Sequence, residues 1–274
     1  MTFRRHVPPP HLRPYVSAAH GYRVAANPVG IHRGLPSRHV TLVVELNGPL
    51  RVSGLAKAVA SHGVVGGLHT TPALIDASRP QEGLQYALSP LAAGALLGVR
   101  AGDMGGRVVD LADVMGTAAD QLVDSVASND DWEERFRLID SALLRRLDDP
   151  PRVEAALHEA WRLVFASSGR LTVAHLADRV GYSRRHLSER FRLVTGVTPK
   201  QAGRIARFEA ARAMLLRGQG PTLAHVAAAC GYADQPHLAR EWKALAGCSV
   251  TTWLREELPF VQAVDMPDIS SSWT

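Results

Sequence analysis

Thr172-Val-Ala-His175-Leu-Ala177 and Thr222-Leu-Ala-His225-Val-Ala227 are one phrase written twice at an offset of 50. Gly181-Tyr182 and Gly231-Tyr232 keep that offset. After one extra residue in the second copy, His186-Leu187 matches His237-Leu238, Phe191 matches Trp242 and Gly196 matches Gly247. A repeat of this length constrains the fold as a whole, because each copy must form the same supersecondary unit.

Each copy predicts a short helix, a glycine turn and a second helix. Thr172 and Thr222 can cap the first helix by accepting orphan backbone N–H groups, and Leu176 with Val180, or Val226 with Cys230, gives it an apolar face. Gly181 and Gly231 fall just past its last turn, where a left-handed backbone is cheap for glycine alone. In the second helix Leu187, Phe191 and Val194, or Leu238, Trp242 and Leu245, supply a core stripe. The residues between them are Arg184, Arg185, Ser188, Glu189 and Arg192 in one copy and Gln235, His237, Arg240 and Lys243 in the other. Such side chains suit the edges of bases in a major groove, where arginine pairs with guanine acceptors and glutamine with adenine.

Between the copies, Thr198-Pro199 opens a helix that runs to Leu216 and stops at Gly218. Its apolar face holds Ile205, Phe208, Ala211 and Leu215, and its other face Lys200, Arg204, Arg207, Arg212 and Arg217. A rigid spacer of this kind sets two reading heads a fixed distance apart.

At these residues the chain resembles the AraC/XylS family of transcriptional regulators. The carrying features are Leu171 to Gly196, the connector Arg204 to Arg212, and Val226 through Gln235, His237-Leu238 and Arg240 to Gly247. The resemblance implies sequence-specific binding of promoter or operator DNA through Arg184, Arg185, Ser188, Glu189, Arg192, Arg204, Gln235, His237, Arg240 and Lys243. It also implies a preceding domain that senses a small molecule or mediates dimerisation, leaving room for a homodimer and for contact with RNA polymerase. Departures from the family pattern are Glu189, Pro236, Trp242 and Val250. A carboxylate at 189 must meet a cytosine amino group or a neighbouring arginine.

Composition agrees. The chain of 274 residues is 46% hydrophobic and 21% charged, in the range of ordinary globular proteins, and its length suits two domains. From Arg152 to Phe260 there are 16 Lys and Arg against 9 Asp and Glu, while the rest carries 15 against 17. One half is therefore basic, as phosphate neutralisation requires. No apolar run is long enough to span a membrane and no leader is visible, so a cytoplasmic protein is expected, associated with the nucleoid when bound to DNA. Cys230 and Cys248 sit at apolar helical positions and are expected to be buried, without metal or cofactor.

Ahead of the repeats the pattern is different. Val40, Leu42 and Val44 alternate with Thr41, Val43 and Glu45, Asn47-Gly48-Pro49 is a turn, Val64-Val65 precedes Gly66-Gly67, and Leu84, Tyr86 and Leu88 share one strand face. After Leu111 the period becomes helical: Leu122 and Val126 are one turn apart, and Trp132, Phe136, Ile139, Leu143 and Leu147 form a stripe with Ser128, Asn129 and Asp130 as capping candidates. The expected fold class is α+β: an N-terminal β-rich, barrel-like sensor domain with a helical C-terminal portion over 1–150, an all-α seven-helix double helix-turn-helix domain over 151–260, and a tail over 261–274. Pro150-Pro151 marks the boundary. Residues 34–107 also resemble a compact effector domain of unknown ligand, and Arg38, His39, His69, Gln85 and Tyr86 are its ligand candidates, being polar side chains within apolar strand patterns. Seven histidines precede residue 150, but no pair shows metal-ligand spacing, and no nucleophile elbow, nucleotide loop or CxxC appears. An enzyme is not expected. The rival reading is a DNA-associated metal-dependent or repair enzyme carrying the same DNA-binding unit.

Overall fold

The structure is a computed structural model that describes residues 2–147, 153–217 and 221–261, the side chains of 258–261 apart. Pro150-Pro151, Gly218 and the tail beyond 261 lie outside the described residues.

The first part is built on two antiparallel sheets. The larger runs in the order β1 (Thr2–His6), β2 (Val16–Val24), β9 (Gln81–Leu88), β4 (Val40–Glu45), β7 (Gly63–Gly66) and β10 (Val108–Asp110). The smaller runs β3 (Ile31–Gly34), β8 (Ala73–Asp76), β5 (Leu50–Ser53) and β6 (Val59–Ser61). Leu42 pairs with Tyr86 and Val44 with Leu84, so the two predicted stripes fall on the same face. Both join the large core against the helices. Val43 and Val64 point the other way and pack with Val52 and Ala73 of the smaller sheet. The alternation at 40–45 therefore separates two buried faces. Even Glu45 is 1% exposed, its carboxylate accepting the Tyr22 hydroxyl at 2.8 Å and the Glu82 N–H at 2.9 Å.

Four helices follow: α1 (Ala93–Leu97), α2 (Leu111–Met115), α3 (Thr117–Ala127) and α4 (Trp132–Arg146), with a 3-10 turn at Ala101–Met104. The α4 stripe buries Phe136, Ile139 and Leu143. Its cap is not among Ser128, Asn129 and Asp130: Asp131 accepts the Glu134 N–H at 3.1 Å. Asn129 instead donates back to the Ser125 carbonyl, closing α3. Beneath α4, Asp140 accepts from Tyr86 Oη at 3.1 Å and meets His6 Nε2 at 2.7 Å, tying the first strand to the helix layer.

The second part is all-α, with seven helices among the described residues: α5 (Ala155–Ala166), α6 (Val173–Val180), α7 (Arg184–Thr195), α8 (Pro199–Leu216), α9 (Leu223–Ala229), α10 (Gln235–Ala246) and α11 (Val250–Val261). Its cores do not divide at residue 150. Leu176, Leu187, Phe191, Ala202 and Ile205 belong to the same buried cluster as the N-terminal sheet and helices. Phe208, Ala211, Val226, Leu238, Trp242 and Trp253 form a separate one. The long helix α8 contributes its first half to one core and its second half to the other.

Candidate nucleic-acid interface

Both repeats fold as two helices joined by a tight glycine turn. Thr172 and Thr222 accept the N–H groups of His175 and His225, each at 3.2 Å. Gly181 and Gly231 hold φ of 73° and 76°, which a side chain would strain. Ser183 and Asp234 then cap α7 and α10 by accepting from His186 N and His237 N. Pro236 lies in the first turn of α10, where its missing N–H costs no helical bond. Leu187, Phe191, Leu238, Trp242 and Leu245 are each 1% exposed or less, which fixes the inner face of α7 and α10.

Their outer faces are open. Arg184, Arg185, Glu189 and Arg192 on α7, and Gln235, Arg240 and Lys243 on α10, are exposed. Arg184, Arg192, Arg240 and Lys243 have no ion-pair partner among the described residues, so their charge is available to phosphate or base acceptors. Glu189 meets its own neighbour, Arg185 Nε, at 2.8 Å, the second of the two solutions open to a carboxylate there. Ser188 is half-buried and donates to the Arg184 carbonyl. His237 is half-buried too, its Nδ1 accepting the Ala233 N–H at 3.2 Å while its ring stands edge-on to Tyr232.

Three of the connector arginines, placed on one polar face by pattern, do three different things. Arg204 forks onto Glu241 of α10 at 2.7 and 3.3 Å. Arg207 donates to the Gly169 carbonyl at 2.6 Å. Arg212 turns toward the N-terminal part and has no hydrogen-bond or ion-pair partner among the described residues; burial lowers its pKa, countered in part by Glu209.

The five ligand candidates do not converge. Arg38 lies at the seam with α8: its Nε and backbone N–H donate to Glu209 at 2.7 and 2.8 Å, and its guanidinium stacks 4.4 Å over Phe165. His39 is beside it, its pKa pushed down to about 4 by burial and by Arg38 and Arg212, against the pull of Glu209. His69 Nδ1 meets the Thr71 carbonyl oxygen at 2.6 Å. Gln85 stands on β9 between His20 and Val43, and Tyr86 is fully buried with its hydroxyl on Asp140. The seam itself was missed by sequence reasoning. A second contact there joins His32 Nδ1 and Arg33 Nη1 to Glu257 at 2.7 and 3.2 Å, and Arg33 to Glu256 at 2.9 Å. The only signal for it was an excess of carboxylates, Glu209, Glu256 and Glu257, in an otherwise basic half.

Residues 176–256 match the family described as "Helix-turn-helix domain". No curated protein sequence matches the chain. Among solved structures, an apo ToxT point variant from Vibrio cholerae aligns over 87% of this chain and 97% of its own, with 11% identity and a TM-score of 0.53. ToxT from the same organism in complex with an unsaturated fatty acid aligns over 92% and 97%, with 10% identity and a TM-score of 0.52. A third ToxT structure, bound to (E)-4-(8-methylnaphthalen-1-yl)but-3-enoic acid, gives 93% and 99%, 10% and 0.51. At such identity the likeness concerns the fold: a two-sheet N-terminal part followed by a helical C-terminal domain. With two helix-turn-helix units on that frame, the C-terminal part has the form of a DNA-binding module. The match spans both repeats, as the resemblance read from the sequence implied. Among the described residues no helix is long and apolar enough to cross a membrane.

Proposed function

We propose that α7 and α10 are the recognition helices of an effector-regulated transcription factor, entering successive major grooves on one side of duplex DNA. Arg184, Arg185, Ser188, Glu189 and Arg192 form the reading surface of the first, and Gln235, His237, Arg240 and Lys243 that of the second; Arg204 acts from the connector. The observation that carries this reading is the doubled arrangement: two capped helices, each with a sealed apolar face and an open face rich in donors. The functional division is 1–150 for sensing or dimerisation, 151–260 for DNA binding and 261–274 as a tail, in a cytoplasmic protein without catalytic activity. Homodimers and contact with RNA polymerase belong to the same reading. The rival, a metal-dependent or repair enzyme, draws support from none of the matches.

The effector is an organic acid received near the seam. Two ToxT structures of this fold hold carboxylic acids, and in this chain Arg212 supplies a desolvated guanidinium near His39 that feels Glu209 but, among the described residues, has no hydrogen-bonded carboxylate. Arg38 is already satisfied by Glu209, so Arg212 is the group a ligand carboxylate meets first. His69, in the loop after β7, and Gln85 and Tyr86 of β9 remain secondary candidates.

Duplexes selected by the protein from a random pool provide the test. Arg185→Ala and Arg240→Ala are each expected to weaken binding about tenfold, as loss of a good bidentate base contact does, and to relax selectivity at one position. Equal affinity and selectivity in both variants contradicts the assignment. Oleate titrated into the protein is expected to bind, and to bind less in Arg212→Ala; indifference to oleate in both removes the seam site.

A further inference from the structure

The two units are not docked in the same way, and the difference falls at one register position. In the repeat alignment Arg190 of α7 corresponds to Glu241 of α10, each just ahead of the core aromatic, Phe191 or Trp242. Arg190 pairs with Glu154, the residue that opens α5. Glu241 pairs with Arg204 in α8. Since α5 precedes the first unit as α8 precedes the second, both pairs tie a recognition helix to the helix leading into its own unit, with the charges reversed. In the first unit Tyr182 adds its hydroxyl to Glu154. Its counterpart Tyr232 is buried with no partner for its hydroxyl among the described residues. The Arg204–Glu241 fork thus acts without that help. Both its side chains are half-shielded, at 26% and 22% exposed, and it sits one turn from the Arg207–Gly169 bond that holds α8 to the end of α5.

We propose that Glu241 and Arg204 in the second unit, and Arg190 and Glu154 in the first, are positioning residues that fix the angle at which each recognition helix meets DNA. None of the four need touch a base, so Arg204 acts from the connector by holding α10 through Glu241. A two-point fork between planar groups constrains rotation of one helix about the other, which apolar packing of a single aromatic does not. The inference rests on reading α7 and α10 as recognition helices.

Charge alone and positioning make opposite forecasts for Glu241→Gln. Removing a negative charge beside a DNA-facing helix tightens binding to a polyanion by long-range electrostatics. Loss of a positioning fork weakens it. On duplexes selected by the wild-type protein, hydroxyl-radical footprints of Glu241→Gln are expected to lose protection in one of two tracts, with affinity about fivefold lower, the scale of a half-buried pair. Glu154→Gln, which also removes a negative charge, is expected to lose the other tract. The reversal Arg204→Glu with Glu241→Arg is expected to recover the first tract, a rescue that a non-specific loss of stability would not produce. Tighter or unchanged binding with both tracts intact in Glu241→Gln and Glu154→Gln overturns the proposal while the recognition helices stand. A wild-type protein that selects no duplex removes the underlying reading and this inference with it.

Discussion

The first helix-turn-helix unit is part of the N-terminal body, whereas the second is attached to it. Leu176, Leu187, Phe191 and Ile205 sit in one continuous core with Leu42, Tyr86, Phe136 and Ile139. At the far end of α7 the contact is backbone to backbone: a Cβ added at Gly102 would collide with the Leu193 carbonyl, so only glycine permits the 3-10 turn to seat there. The second unit keeps its own core around Trp242 and Trp253, with Leu35 as the N-terminal residue packed against it. What holds it to the sheets is mostly polar: Arg38 on Glu209, and His32 with Arg33 on Glu256 and Glu257. Apolar interfaces are non-directional and proportional to area, while charge-assisted bonds are directional and lost together when one partner is withdrawn. The molecule thus joins the first unit to the sheets as a single packed body and the second through a seam of charged contacts. An acid binding at Arg212 would act at the edge of that seam.

Core truncation breaks this comparison most sharply. Phe191→Ala and Trp242→Ala are each expected to cost about 3–5 kcal/mol, the usual price of deleting a buried aromatic. Amide exchange read by mass spectrometry is expected to differ in reach. Phe191→Ala loosens β4, β9 and α4 along with α7, whereas Trp242→Ala loosens α9, α10 and α11 and leaves the sheets protected. Equal loosening of β4 and β9 in both variants would mean that the two cores are one.

The seam carries the next effect. Glu257 is fully buried and accepts from the Arg33 N–H and guanidinium while facing His32. Glu257→Gln is expected to cost about 3 kcal/mol, because it strands buried donors built around a charge. The exchange pattern should show α11 and β3 opening while Leu187 and Phe191 stay protected. Protection of α11 unchanged from wild type would show the polar seam to be incidental.

The effect of pH is graded and spread over a window set by two buried histidines. Burial holds the His20 and His39 pKa values down at about 4, below the usual 6.5. The unfolded chain therefore binds protons that the native state refuses, and stability falls as pH drops from about 6.5 toward 4. The loss is on the order of 1 kcal/mol per histidine per pH unit in that window. Glu45, whose pKa burial raises, opposes this weakly at the acid end. Urea unfolding at pH 7 and pH 5 measures the difference, and a His39→Gln variant is expected to show a shallower slope. A midpoint that rises on acidification contradicts the assignment of His39 as a buried neutral ring.

The helical half was legible in the sequence because its signals are local. A threonine, a glycine and an aromatic at fixed spacing specify cap, turn and core without reference to the rest of the chain. The strands were less so. Val40 to Glu45 and Leu84 to Leu88 alternate, but β2 reads Val-Ser-Ala-Ala-His-Gly-Tyr-Arg-Val, with alanines and a glycine where strands favour branched residues. Its glycine lies directly under the Trp132 ring of α4, which a side chain there would have to displace, a long-range contact that no local pattern announces. The same applies to the recognition surface and the seam. Exposure of Arg184, Arg240 and Lys243 follows from periodicity, whereas the separate fates of Arg204, Arg207 and Arg212 depend on which partner α8 happens to face at each turn. The buried cluster that joins the sheets to α6 and α7 is likewise long-range, and no local pattern announces it.

Hydroxyl-radical footprinting of the wild-type protein on a selected duplex tests the central claim most directly. Two reading heads held by α8 are expected to protect two tracts on one face of the duplex, about one helical turn apart. Affinity is expected to fall with salt by roughly one unit of log–log slope for each phosphate contact. A single protected tract, or binding indifferent to salt, would contradict the assignment of α7 and α10 as paired recognition helices.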